Sequence, residues 1–105
     1  MHKVSVIVPV YREGFYFINS ISNLLSSKAL EELIMIIDKP SPEFYSKVKS
    51  IKCSKLKIIV NEERTGKVSA LNKGIELAKG DIVLFLDADV SVPDKQFLEK
   101  IVYMM

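Results

Sequence analysis

The chain is poor in the residues that most often announce a function by themselves. Its 105 residues hold one cysteine, one histidine, four glycines, four prolines and no tryptophan. A lone Cys53 excludes an internal disulfide and points to a reducing compartment. His2, the single histidine, stands at the amino terminus, so neither a Ser-His-Asp triad nor a Cys-His pair is expected. No apolar run approaches the ~20 residues of a membrane-spanning helix. Met1-His2-Lys3 leads directly into a strand-like segment rather than a signal peptide. The expected location is cytoplasmic, with membrane association through sequence beyond Met105 left open. Gly-x-Gly-x-x-Gly and Walker phosphate loops are missing as well. An excess of one charge is also lacking: 15 basic against 13 acidic residues give +2, and the lysines are scattered, so no nucleic-acid partner is expected.

Hydrophobic residues make up 49% of the chain and charged residues 27%, the balance of a folded domain. The length suits one small domain over residues 1–105. Strand-like and helix-like segments alternate. Val4 to Val8 is a β-branched run that Pro9 should end, and Leu33 to Ile37, Leu56 to Val60 and Ile82 to Leu86 repeat the pattern. Between them, Phe15, Ile18, Ile21, Leu24 and Leu25 recur at helical spacing, and a second helix from about Pro42 carries Phe44, Val48 and Ile51. A third helix is expected over Gly66 to Lys79, with Val68, Leu71, Ile75 and Ala78 inward and Gly80 as its stop. A last helix should begin near Pro93-Asp94. The order is βαβαβαβα. Strands apolar on both faces predict an α/β, Rossmann-like three-layer sandwich with a mainly parallel sheet.

Ligands of such sheets bind in the crevice at the carboxyl ends of the strands. There the sequence places Pro9-Val10-Tyr11-Arg12-Glu13, then Asp38, then Asn61 to Lys67, then Asp87-Ala88-Asp89. Alternation along an extended chain would set Asp87 and Asp89 on one side, where a divalent cation relieves their repulsion. The plain alternative is that Asp87 ends the strand and Asp89 opens a turn.

Four motifs in this order resemble the family-2 inverting glycosyltransferases of GT-A fold. Val4 to Glu13 is similar to the family's opening strand and Pro-x-Tyr-x-Glu turn, and Gly66-Lys67-Val68-Ser69-Ala70-Leu71-Asn72-Lys73-Gly74 to its Gly-Lys helix. Gly80-Asp81, Asp87-Ala88-Asp89 and Pro93 resemble its Gly-Asp, Asp-x-Asp and trailing proline. The resemblance implies a nucleoside-diphosphate sugar (UDP-sugar or GDP-sugar) as partner and Mn²⁺ or Mg²⁺ as cofactor. It implies that Tyr11 lies against the nucleobase, with Pro9 and Glu13 shaping the base and ribose pocket. Asp38 would contact base or ribose, Lys67 the diphosphate, Asp87 the ribose and metal, and Asp89 the metal. A divalent ion and a lysine would stabilise the charge that develops on the departing phosphate.

After the second strand the family shows Asp-Asp-Gly-Ser, whereas this chain has Asp38-Lys39-Pro40-Ser41. Lys39 reverses a charge, and Pro40 forbids the positive φ that glycine permits. An inverting transferase also needs a carboxylate base for the acceptor hydroxyl. Of the residues after Asp89 only Glu99 comes far enough along, and it falls within a helix expected to pack on the sheet. The resulting expectation is a truncated GT-A domain: the nucleotide-sugar half without the acceptor half, the base lying beyond Met105. A nucleotide-binding fragment without turnover is the alternative, followed by a sugar-phosphate nucleotidyltransferase or a receiver domain. A sheet cut short would leave an open edge and apolar surface, which predicts homo-oligomers.

Overall fold

The computed structural model describes residues 2–12 and 15–104. In chain order the elements are β1 (Val4–Tyr11), α1 (Phe15–Leu25), β2 (Leu30–Asp38), α2 (Pro42–Lys49), β3 (Leu56–Asn61), α3 (Lys67–Leu77), β4 (Ile82–Phe85) and α4 (Phe97–Met104). All four strands are parallel, in the spatial order β3-β2-β1-β4. The expected α/β architecture is therefore the observed one.

The two faces of the sheet are covered unequally. Val4, Val6, Val8 and Val10 of β1 join Leu33, Met35 and Ile37 of β2 in the main core. There they meet Phe17, Ile21 and Leu24 of α1, Phe44 and Val48 of α2, and Leu98 of α4. Ile7, Ile34 and Ile36 point the other way and pack with Ala70 and Leu71 of α3 and Ile59 of β3. On that second face, Val83 and Phe85 of β4 remain 38% and 45% exposed.

Several local expectations are corrected. β1 does not stop at Pro9 but runs through it to Tyr11, with Pro9 paired to Ile36. Residues along a parallel strand turn their backbone groups alternately to either neighbour. The Ile7 carbonyl accepts from Leu86 N at 3.0 Å, so Pro9 faces that same side. Extending the ladder to Leu86 would require an N–H on Pro9, which proline lacks, and β4 ends at Phe85.

β2 begins earlier than expected, at Leu30, and buries Glu32. That carboxylate is satisfied by Ser5 Oγ at 2.7 Å and Lys79 N at 2.6 Å, while Gly80 N donates to Ser5 Oγ at 2.8 Å. Gly80 thus serves close approach rather than helix termination, because a Cβ there would lie 2.7 Å from Ser5 N and 2.8 Å from the Lys3 carbonyl. α3 ends earlier than expected, and its inward face is Ala70, Leu71 and Gly74. Val68 and Ile75 face solvent. A Cβ on Gly74 would sit 2.5 Å from Ile7, so helix and strand touch where side chains are smallest. α1 buries Phe17 and leaves Phe15 half exposed, and α4 starts at Phe97 rather than at Pro93. No helix among the described residues is long and apolar enough to cross a membrane.

Candidate functional site

The carboxyl ends of β1 and β2 open into a cavity of about 190 Å³, walled by Pro9, Tyr11, Asp38, Arg64, Gly66 and Lys67 above Val10, Ile36 and Ala70. Four residues expected at the site from the sequence therefore share one wall: Pro9, Tyr11, Asp38 and Lys67. Glu13 lies outside the described residues. A second cavity of about 460 Å³ adjoins the first across Val10 and Asp38 and is bordered by Arg12 and Lys39. These two cations follow Tyr11 and Asp38, which are register partners on neighbouring strands. Both adopt positive φ, 66° at Arg12 and 47° at Lys39. Non-glycine residues pay for that conformation sterically, and such residues gather where chains are bent for function.

Asp38 is the most heavily bonded residue of the site. Its carboxylate accepts from Asn61 Nδ2 at 2.9 Å, Thr65 N at 2.7 Å, Thr65 Oγ1 at 3.0 Å and Gly66 N at 3.0 Å. Burial alone would raise its pKa, but the donors of Asn61, Gly66 and Thr65 together outweigh burial and hold it below the ordinary carboxylate value. The side chain fastens the loop from β3 into α3. Gly66, at φ 89°, makes the entry to the helix and brings no capping side chain of its own. Lys67 and the start of α3 are thereby presented at the cavity.

Asp87 and Asp89 follow the end of β4, and the strand alternation expected for them does not apply. Val90 N donates to the Asp87 carbonyl at 3.1 Å, closing a turn. Within it Ala88 is buried, while both acids are exposed. Two side chains of α1 hold the exit: Ser20 Oγ accepts from Val92 N at 2.9 Å, and Asn23 Nδ2 donates to the Val92 carbonyl at 2.9 Å. Lys67 Nζ donates to Asp87 Oδ1, linking this turn to the cavity wall. No group of three His, Cys, Asp or Glu side chains suited to a metal stands among the described residues. An ion held by Asp87 and Asp89 would complete its shell from phosphate and water, as Mg²⁺-type ions commonly do. The donor set is all oxygen and fits a hard divalent cation.

Sequence reasoning set Asn61 and Thr65 at the end of the third strand without a role and missed Ser20 and Asn23; each is an uncharged polar residue whose partner is distant in the chain. For Arg64 it offered a solvated loop or an approach to phosphate, and did not foresee that the Arg64 guanidinium lies 4.4 Å from the Tyr11 ring centroid, with that of Arg12 5.0 Å away. Glu99 is at the other end of the sheet: its Oε1 accepts from Lys28 N at 2.9 Å, beside the start of β2.

Known proteins resemble this chain in sequence and in fold. The chain is 33% identical over 103 residues to the glycosyltransferase AglE of Haloferax volcanii, covering 92% of this chain and 33% of that one. It is 33% identical over 89 residues to the UDP-Glc:alpha-D-GlcNAc-diphosphoundecaprenol beta-1,3-glucosyltransferase WfgD of Escherichia coli, covering 84% of this chain and 35% of the relative. The mannosyltransferase PcManGT of Pyrobaculum calidifontis, solved with GDP-Man and Mn²⁺, superposes with a TM-score of 0.80 at 28% identity over 96% of this chain and 31% of that one. The chain thus spans about a third of the length of these proteins. The sequence model of glycosyl transferase family 2 matches residues 5–105, and the chain belongs to that family.

Proposed function

We propose that this chain forms the donor side of a metal-dependent glycosyltransferase, binding a UDP-sugar or GDP-sugar for transfer to an acceptor hydroxyl with inversion. One observation carries the reading: Pro9, Tyr11, Asp38 and Lys67 border a single cavity at the strand ends, and Lys67 ties that cavity to Asp87. The relatives point the same way, since one is named for UDP-Glc and another was solved with GDP-Man and Mn²⁺.

In this reading the Tyr11 ring stacks on the base, and Pro9 and Glu13 shape the base and ribose pocket. Asp38 borders base and ribose while fixing the Thr65–Gly66 turn. Lys67, at the amino end of α3, meets the diphosphate, where its charge and the helix terminus both favour an anion. Asp87 and Asp89 hold Mn²⁺ or Mg²⁺, with Asp87 also facing the ribose. The bound ion supplies Lewis-acid stabilisation to the leaving phosphate. The catalytic base is proposed to come from outside these residues, because Glu99 faces the amino end of the sheet. The 105 residues alone would then bind donor without turnover. A cytoplasmic setting and self-association belong to the same proposal, the latter resting on the exposed Val83, Phe85, Val68 and Ile75.

Calorimetric titration of UDP-sugars and GDP-sugars with and without Mn²⁺ tests the reading. Metal-dependent binding that Asp89→Ala removes is the expected result. Binding of equal strength in that variant, or none to the parent chain under any metal condition, would overturn it.

A further inference from the structure

We infer that Arg64 is a donor-binding residue with two positions: on the Tyr11 ring when the site is empty, and on the diphosphate when donor is bound. The inference rests on reading the cavity as a nucleotide site. Arg64 and Tyr11 wall the same cavity, with the guanidinium carbon 4.4 Å from the ring centroid. The other guanidinium near this ring, that of Arg12, borders the neighbouring cavity instead. Arg64 therefore occupies the ring on the side where a base would stack. The cavity volume agrees: at about 190 Å³ it falls short of the roughly 300 Å³ at which small-molecule sites begin, and moving one arginine side chain would enlarge it.

The loop is built so that this side chain can leave without disturbing the helix behind it. Thr65 and Gly66, the next two residues, are pinned to Asp38 by their backbone N–H groups, at 2.7 and 3.0 Å. Arg64 itself is exposed. A base stacked on an aromatic ring gains more than an exposed cation–π contact does, so the base wins the ring. The displaced guanidinium sits three positions before Lys67, on the segment that leads to the start of α3. Its planar fork of donors suits phosphate oxygens better than it suits a ring.

The exchange predicts opposite signs for two ligands. Arg64→Ala uncovers the ring, so uridine or guanosine, which carry no phosphate, should bind about two- to fivefold more tightly. The same variant loses a charge-assisted contact, so UDP or GDP with Mn²⁺ should bind about tenfold more weakly. In the parent chain, ring current from Tyr11 should shift the Arg64 δ-protons upfield, and adding UDP or GDP should abolish that shift. Equal weakening of nucleoside and nucleotide, or an Arg64 shift that survives nucleotide binding, overturns the exchange while leaving the nucleotide site intact. Tyr11 resonances that no nucleotide moves would overturn the site itself, and the exchange with it.

Discussion

Lys67 and Asp87 meet as an ion pair between the first residue of α3 and the turn beyond β4, with Nζ and Oδ1 2.5 Å apart. Twenty residues separate them in the chain, and the parallel order β1-β4 with α3 packed on β1 brings them together. The pair joins the group proposed to face phosphate to the group proposed to hold metal. Both side chains are more than half exposed, so the contact is worth little to the fold. Lys67→Ala should change unfolding free energy by less than about 0.5 kcal/mol. It should nonetheless weaken Mn²⁺-dependent nucleotide binding about tenfold. Urea unfolding followed by circular dichroism, paired with calorimetry, separates the two effects.

Asp38→Asn should show the reverse pattern, with a large structural effect. An amide nitrogen placed against Thr65 N or Gly66 N cannot accept, so about 1–3 kcal/mol of stability should be lost near neutral pH. The sign of the pH dependence follows from the depressed folded-state pKa. The carboxylate contributes stability that is fully present above its ordinary value of 3.8 and is lost as pH falls through the lower folded value. The gap between parent and variant in urea unfolding should therefore hold at pH 7 and close progressively below about pH 4.

Gly80→Ala tests the packing that joins α3 to β4. The new methyl group would meet backbone atoms of Lys3 and Ser5, which cannot swing aside, as well as Ser5 Oγ. A loss of about 1–3 kcal/mol is expected, read as a lower midpoint in thermal unfolding. Lys79→Ala, at an exposed neighbour, should leave the midpoint unchanged, since its contribution to Glu32 is made by the main chain.

Ser20→Ala should loosen the segment that carries the acidic pair. It removes the acceptor for Val92 N and leaves that buried N–H without its partner, which costs about 1–3 kcal/mol. Hydrogen exchange at the Val92 amide should speed up markedly, while exchange in β2 changes only as global stability does. Exchange at Val92 equal to that of the parent chain would rule out this anchoring role.

The strands and their order in the chain were legible because β-branched runs such as Val4 to Val8 must be buried on both faces. The position of the site was legible for a related reason: a parallel sheet gathers its strand ends on one side, and the polar residues follow those ends. The inner face of α3 was not legible. Val68 and Ile75 carry the hydrophobicity, but Ala70 and Gly74 make the contact, because closeness to Ile7 requires small groups. Glu32 was hidden too, since an acid within a strand reads as its boundary until Ser5 and the Lys79 amide are seen to satisfy it. The ties from Asp38 to Thr65 span 27 residues, and no local pattern encodes them.

Pro9 gives the site one of its dimensions. An imino acid in a middle strand would ordinarily count as a flaw, yet here it decides how far the neighbouring strand can be zipped alongside. The main chain after Phe85 is released one rung sooner than an amide N–H at position 9 would allow. The Asp87–Val90 reversal starts from that point of release. The height at which the two acids leave the sheet is thus dictated by an absent hydrogen atom on the adjoining strand.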